Sequence, residues 1–269
     1  MPNSQEMNPQ KQGLLARFKA MPLDSAPRTI TVAVVLCLFC SMIVSGAAVM
    51  LKPQQQLNKV LDKKVNILKV AGLYEPGVDV AKAFEKIEPR LVDMQTGKFT
   101  DAYDVNTYDQ RTAAKDPSMS FEPANDIASI RNQAKVASVY LLRDDAGKIT
   151  RIILPVHGYG LWSTLYGFIA LNADGNEVSA FRFYEHAETP GLGAEVDNPK
   201  WMALWPGKQV YDLDGDVAIG VNKAGSGVHH IDALAGATLT SVGVDNLIKF
   251  WMGEQGFKPF LENLKNGDA

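Results

Sequence analysis

Cysteine is nearly absent from this chain, and its placement says more than its scarcity. Both residues, Cys37 and Cys40, sit inside one apolar stretch, and residues 52–269 contain none. A disulfide framework, thiolate-held iron–sulfur clusters and thiol catalysis are therefore excluded for everything downstream of that stretch. Three residues apart on one helix face, the pair itself reads as packing. Histidine is scarce too: there are four, and none forms an H-E-x-x-H pattern. A G-x-S-x-G elbow, a Walker loop and a G-x-G-x-x-G fingerprint are also missing. Gly158-Tyr159-Gly160-Leu161 comes nearest to the last, but lacks the third glycine and the helix that should follow. His229 and His230 are adjacent, and adjacent strand residues face opposite sides, which argues against one shared metal ion. No basic tract interleaves with aromatics and the formal net charge is -3, so nothing points to nucleic acid.

One stretch lacks charge altogether. From Thr29 to Leu51 the chain reads TITVAVVLCLFCSMIVSGAAVML, bounded by Arg28 and Lys52. As a helix it would reach about 34 Å, enough to cross a bilayer core of about 30 Å. A signal peptide is the competing reading, with Ser45-Gly46-Ala47 as its cleavage site. Its apolar core would span only about 7–15 residues, however, and would lie nearer the N-terminus. A retained transmembrane helix is the reading adopted. Lys11, Arg17, Lys19 and Arg28 precede it; Lys52, Lys59, Lys63, Lys64 and Lys69 follow. That near-tie leaves sidedness open. Residues 1–28 are polar, with a short amphipathic patch at Leu14, Leu15 and Phe18, and read as a tail on the membrane surface.

Beyond the span, Leu57, Val60, Leu61, Val65, Leu68 and Ala71 recur at helical spacing, with Gly72 and Pro76 to end the helix. A second helix is expected over Val78–Ile87, before Pro89. Residues 98–135 lack periodicity. Strands Ser138–Arg143 and Lys148–Val156 flank Asp144-Asp145-Ala146-Gly147, a hairpin signal, and Leu165–Leu171 and Val178–Tyr184 flank a second turn. A third hairpin is expected from Val210–Leu213 and Val217–Val221 around Asp214-Gly215-Asp216. The chain closes with a helix from Thr240 to Gln255, striped by Val244, Leu247, Ile248 and Trp251, and a short one over Lys258–Leu264. Antiparallel hairpins with helices set apart give an α+β domain.

Two segments suggest a ligand. Glu188-Thr189-Pro190-Gly191-Leu192-Gly193 follows a strand and His186. Pro-Gly favours a type II turn, and Gly193 would permit close backbone approach. Alone, it reads equally as a connecting turn. The second, Asp232-Ala233-Leu234-Ala235-Gly236-Ala237-Thr238-Leu239-Thr240-Ser241, opens onto the last long helix. Thr240 or Ser241 could cap that helix, whose N-terminal N–H groups and dipole favour a phosphate. A plain capped helix is the other reading.

Together these segments resemble a known family. Asp232-x-x-x-Gly236-Ala237-Thr238-x-Thr240 is similar to the flavinylation motif on which flavin transferases esterify FMN to threonine. That motif occurs in the FMN-binding subunits of the Na+-translocating NADH:quinone reductase and of the related Rnf complex. Ala235 stands where Ser or Thr is usual. The Glu188–Gly193 loop, His157-Gly158-Tyr159-Gly160-Leu161-Trp162-Ser163 and the single N-terminal span resemble the C-subunit family (NqrC) of the Na+-translocating enzyme, more than the corresponding Rnf family.

The resemblance implies covalent FMN on Thr238. Asp232, Gly236, Ala237 and Thr240 would complete the motif, and Glu188, Thr189, Gly191, Leu192, Gly193, Trp162 and Ser163 would lie around the cofactor. Trp162 and Tyr166 could instead be strand packing. It further implies a cytoplasmic tail (1–28), a transmembrane helix (29–51) and a periplasmic FMN-binding domain (52–269) at the bacterial inner membrane. Other subunits of a membrane NADH:quinone reductase would be its electron-transfer partners, with a flavin transferase acting during maturation. An Rnf-type electron carrier, or a periplasmic module binding an anion non-covalently, are the other functions kept open.

Overall fold

The computed structural model describes residues 18–22 and 24–269. The chain divides into two units, residues 1–59 and 60–269. A helix, α1, runs from Ala26 to Ala71 with Pro53 inside it. Every residue from Thr29 to Leu51 is exposed. A core helix of a soluble protein would bury such a run; this one is long and apolar enough to cross a membrane. Helix α1 ends as its sequence predicts. Gly72 takes φ +70°, its N–H reaches Lys69 O, and Leu73 N–H reaches Leu68 O at 2.9 Å. That pair of bonds is a Schellman cap, which needs the left-handed residue that glycine supplies at little cost. Of the amphipathic patch expected at Leu14, Leu15 and Phe18, Leu14 and Leu15 lie outside the described residues.

Within residues 60–269 the centre is a sheet. Strands β1 (Ile87–Asp93), β2 (Lys98–Phe99), β5 (Val136–Arg143), β6 (Ile149–Tyr159), β7 (Thr164–Asn172) and β8 (Val178–Glu185) lie in the order β2-β1-β5-β6-β7-β8. Every pairing in this sheet is antiparallel. Both faces are covered, which explains why the central strands read as nearly continuous apolar runs instead of clean alternations. Along β7, Leu165, Ile169 and Leu171 join one core while Phe168 and Ala170 join the other. The second core is closed by the end of α1, through Ile67, Leu68, Val70 and Ala71. The first is closed by the short helix α4 (Pro199–Met202) and by α5 (Thr238–Met252) and α6 (Lys258–Asn266). The expected stripe Val244, Leu247, Ile248 and Trp251 is buried there throughout.

Three expectations need correction. The second helix, α2, is only Val80–Phe84, capped by the Asp79 carboxylate, and Ile87 opens β1. Seven residues of β1 pair with β5, a long-range interaction that outweighs the local helix propensity of Ala81, Lys82, Ala83, Glu85 and Lys86. Pro89 is tolerated in that strand because β2 pairs only with Val92 and Asp93, leaving no ladder beside it on that edge.

The third hairpin reduces to one bridge, Tyr211↔Val217, around a turn held by the Asp212 carboxylate. The chain beyond it forms β9 (Gly220–Asn222), which pairs in parallel with β10 (His230–Asp232). Finally, α5 begins at Thr238, with Ala237 at the N-cap position and no capping side chain. Neither Thr240 nor Ser241 caps it, because both hydroxyls are engaged elsewhere. Residues 98–135 are largely irregular as expected, with α3 (Gln110–Ala113), β3 (Ser120–Phe121) and β4 (Gln133–Ala134) as their short regular pieces.

Candidate functional site

Three loops meet at the N-terminal end of α5. The first leaves β10 and turns at Gly236, which takes φ +76°. It delivers Thr238 as the first helical residue, exposed to solvent. Thr238 therefore presents its hydroxyl where helix N–H groups lack intrahelical partners and the dipole favours a negative group. The second loop is the expected type II turn. Leu192 N–H bonds to Thr189 O at 3.1 Å and Gly191 takes φ +75°. A 3-10 turn (Gly193–Asp197) follows. Leu192 reaches across to Gly236: a Cβ built there would lie 3.4 Å from Leu192 Cδ2. The third loop is the tight Gly160–Ser163 connection between β6 and β7, closed by Gly160 N–H to Ser163 O at 2.8 Å.

Glu188 joins these loops from beneath. It is only 4% exposed. The N–H groups of Leu161, Trp162 and Ser163 donate to its Oε1 at 3.1, 3.0 and 3.2 Å. The Thr240 hydroxyl donates to its Oε2 at 2.7 Å. Burial by itself would raise the pKa of this carboxyl group, but the hydrogen bonds from Trp162, Thr240, Ser163 and Leu161 prevail and hold it below the ordinary carboxylate value. The resemblance places Glu188 around a cofactor; the structure sets it below the surface, bonded to protein on both oxygens. His186 supports the same loop, with Nδ1 accepting Glu188 N–H at 3.2 Å and Nε2 lying 2.8 Å from Asp197 Oδ2.

On the surface above, large apolar side chains stay uncovered. Trp162 is 66% exposed, Leu192 45% and Leu239 60%. The two readings of Trp162 and Tyr166 thus divide between them. Trp162 projects from its turn, whereas Tyr166 is partly buried, 5.5 Å from the His157 ring and 3.6 Å under the Arg111 guanidinium. Of the remaining predicted residues, Thr189 and Gly191 are exposed, Gly193 and Ala237 are buried and Ser163 is half-buried. Ser163 accepts Ala187 N–H at 2.7 Å.

Asp232 lies outside this cluster of bonds: its exposed carboxylate meets His230 Nε2 at 3.0 Å, and its carbonyl takes the Trp201 indole N–H. His229 turns instead to Gln209 O. Sequence reasoning misses Leu239 and Val242. Both lie off the buried stripe of α5, so their exposure is readable as an apolar interruption of its polar face.

An uncapped helix N-terminus beside exposed aromatic and aliphatic side chains suits a ligand with an anionic end and a flat apolar body. A family model described as FMN-binding domain matches residues 160–253, which take in all three loops and α5. The C subunit of the Na+-translocating NADH-quinone reductase of Pseudomonas aeruginosa is 52% identical over 91% of this chain and 98% of its own length. The chain belongs to this NqrC family.

The counterpart from Vibrio alginolyticus is 48% identical over 91% of this chain and 97% of its own. Among solved structures, Shewanella oneidensis NqrC superimposes with a TM-score of 0.72 at 38% identity, covering 77% of this chain and 97% of that one. The Parabacteroides distasonis C subunit gives 0.61 at 26% identity, covering 78% and 96%. Membership resolves the choice between the two related families in favour of the Na+-translocating enzyme.

Proposed function

We propose that Thr238 carries FMN as a phosphoester and that the chain relays electrons between other subunits of a Na+-translocating NADH-quinone reductase. The observation that carries this reading is the position of Thr238: an exposed threonine on the first turn of an uncapped helix, inside the FMN-binding match. FMN, when bound, supplies both one- and two-electron redox chemistry, so it can join carriers of either kind. The protein's part is to hold it. The N-terminus of α5 favours the phosphate by about 0.3–1 kcal/mol. Trp162, Leu192 and Leu239 offer apolar surface for the ring, while Gly236 and Ala237 keep the tether clear of bulk. Gly191 and Thr189 shape the turn that carries Leu192. A flavin transferase makes the ester, reading the motif from Asp232 to Thr240. The helix through residues 29–51 anchors the chain in the bacterial inner membrane, with residues 52–269 in the periplasm and the tail in the cytoplasm.

The decisive experiment compares the wild-type chain with Thr238→Val, each co-expressed with a flavin transferase. After denaturing electrophoresis, the wild-type band fluoresces under ultraviolet light and the variant band is dark. Intact-mass measurement shows an increase equal to FMN less one water in the wild type alone. A dark wild-type band returns the motif to a bare helix start.

A further inference from the structure

We propose that Glu188 is the positioning residue of this site: its carboxylate ties the Leu161–Ser163 turn to the first turn of α5 and so holds the Trp162 indole beside the tether. The inference rests on the reading of Thr238 as that tether, and it concerns a role that contact with a cofactor would not require.

The geometry is specific. One oxygen collects the amides of Leu161, Trp162 and Ser163 and, at 3.4 Å, the Ser163 hydroxyl; the other takes the Thr240 hydroxyl. The residue thus bonds two elements 25–27 and 52 residues away in sequence. Among the described residues these donors are amides and hydroxyls, directional groups that fix position more tightly than a mobile cation would. The backbone is cut to fit. A Cβ at Gly160 would lie 2.7 Å from Oε1, and one at Gly193 would lie 2.7 Å from Oε2 and 2.5 Å from Thr240 Oγ1.

Trp162 is pinned below by its backbone N–H, yet the residue stands 66% exposed above. Stability does not call for anchoring a tryptophan in water. Placing an aromatic face at a fixed distance from Thr238 does.

The test uses the full-length chain in detergent as wild type, Glu188→Leu, Glu188→Gln and Trp162→Ala. Amide hydrogen exchange is read in chain produced without the transferase. Native flavin emission is read in matured chain and normalised to the denatured in-gel fluorescence of the same sample. An indole held against an isoalloxazine quenches its emission, so Trp162→Ala raises the normalised signal. Glu188→Leu is expected to raise it equally, and to speed exchange at Leu161–Ser163 on the order of tenfold or more, as loss of bonds to a charged acceptor requires.

Glu188→Gln keeps an oxygen for the amides and can donate to Thr240, so it falls between wild type and Glu188→Leu in both readings. If Glu188→Leu does not fold, Glu188→Gln decides. Wild-type emission and wild-type exchange in whichever variant folds overturn the proposal. A dark wild-type band fails the tether reading separately, while the exchange measurement still reports on the clamp.

Discussion

Gly243 offers a substitution in which two well-understood effects oppose each other and distance decides the sign. It lies inside α5, where replacing glycine by alanine gains about 1 kcal/mol of helix propensity. A Cβ there, however, would sit 2.5 Å from Tyr159 O and 2.9 Å from Gly160 Cα, against an ordinary contact of 3.4–4 Å. Both neighbours are backbone, and both are held. Tyr159 N–H bonds to Ala128 O and Gly160 N–H to Ser163 O, each at 2.8 Å.

With no flexible side chain to swing away, α5 must retreat. Over-packing of this kind costs about 1–3 kcal/mol, and a clash with bonded backbone belongs at the upper end. The net effect of Gly243→Ala is a loss of about 1–2 kcal/mol, or a fall in Tm of roughly 2–8 °C for a unit of this size. Differential scanning calorimetry of the full-length chain in detergent reads it directly. Because the retreating helix carries Thr238, the proposed tether, covalent flavin per chain is expected to fall as well. A Tm at or above wild type would refute the reasoning, showing that propensity wins and that the helix and the β6 end are not in rigid contact.

Other outcomes follow from the same geometry. Burial, with the Arg111 charge assisting, holds the His157 pKa down to about 4 from 6.5. Its folded-state pKa is depressed, so the unfolded chain binds the extra proton; the stability is present above pH 6.5 and is lost as pH falls toward 4. That contribution is on the order of 3 kcal/mol, and Tm measured across the window should fall less steeply in His157→Phe than in wild type. Equal slopes would assign the acid sensitivity to other groups. Leu192 is half exposed, so Leu192→Ala should move Tm by little, within about 0.5 kcal/mol of stability. It should nevertheless alter the visible circular dichroism of the matured chain, and an unchanged spectrum would remove Leu192 from the ring's surroundings.

How much of the fold is legible from the chain varies with the range of the interaction responsible. The end of α1 is readable at Gly72 because a left-handed cap is a local demand. The β5–β6 and β7–β8 hairpins are readable because Asp144–Gly147 and the Asn172–Asn176 turn carry their own turn chemistry. The turn at Thr189–Leu192 follows from Pro190-Gly191 for the same reason. Val78–Ile87 misleads because the pairing partner of its last residue, β5, lies some fifty residues away and contributes nothing visible locally. The parallel β9–β10 pair escapes notice because three-residue strands leave no periodic signal. At the site, residue types place the helix start two residues late. Thr240 and Ser241 look like caps by type, but their hydroxyls serve Glu188, Ala237 and Leu234 instead.

By itself, the sequence determined the apolar helix through residues 29–51, the α+β class and the resemblance that singles out Thr238. Each of these depends on composition, on period or on a contiguous motif, and needs no knowledge of what packs against what. Only the tertiary structure decided what Glu188 bonds to, which of Trp162 and Tyr166 stands free, and why Gly160, Gly193 and Gly243 lack side chains. Those answers lie in distances between residues far apart in the chain. They are set where the sheet and α5 meet, because a buried carboxylate must find its donors wherever the fold brings them.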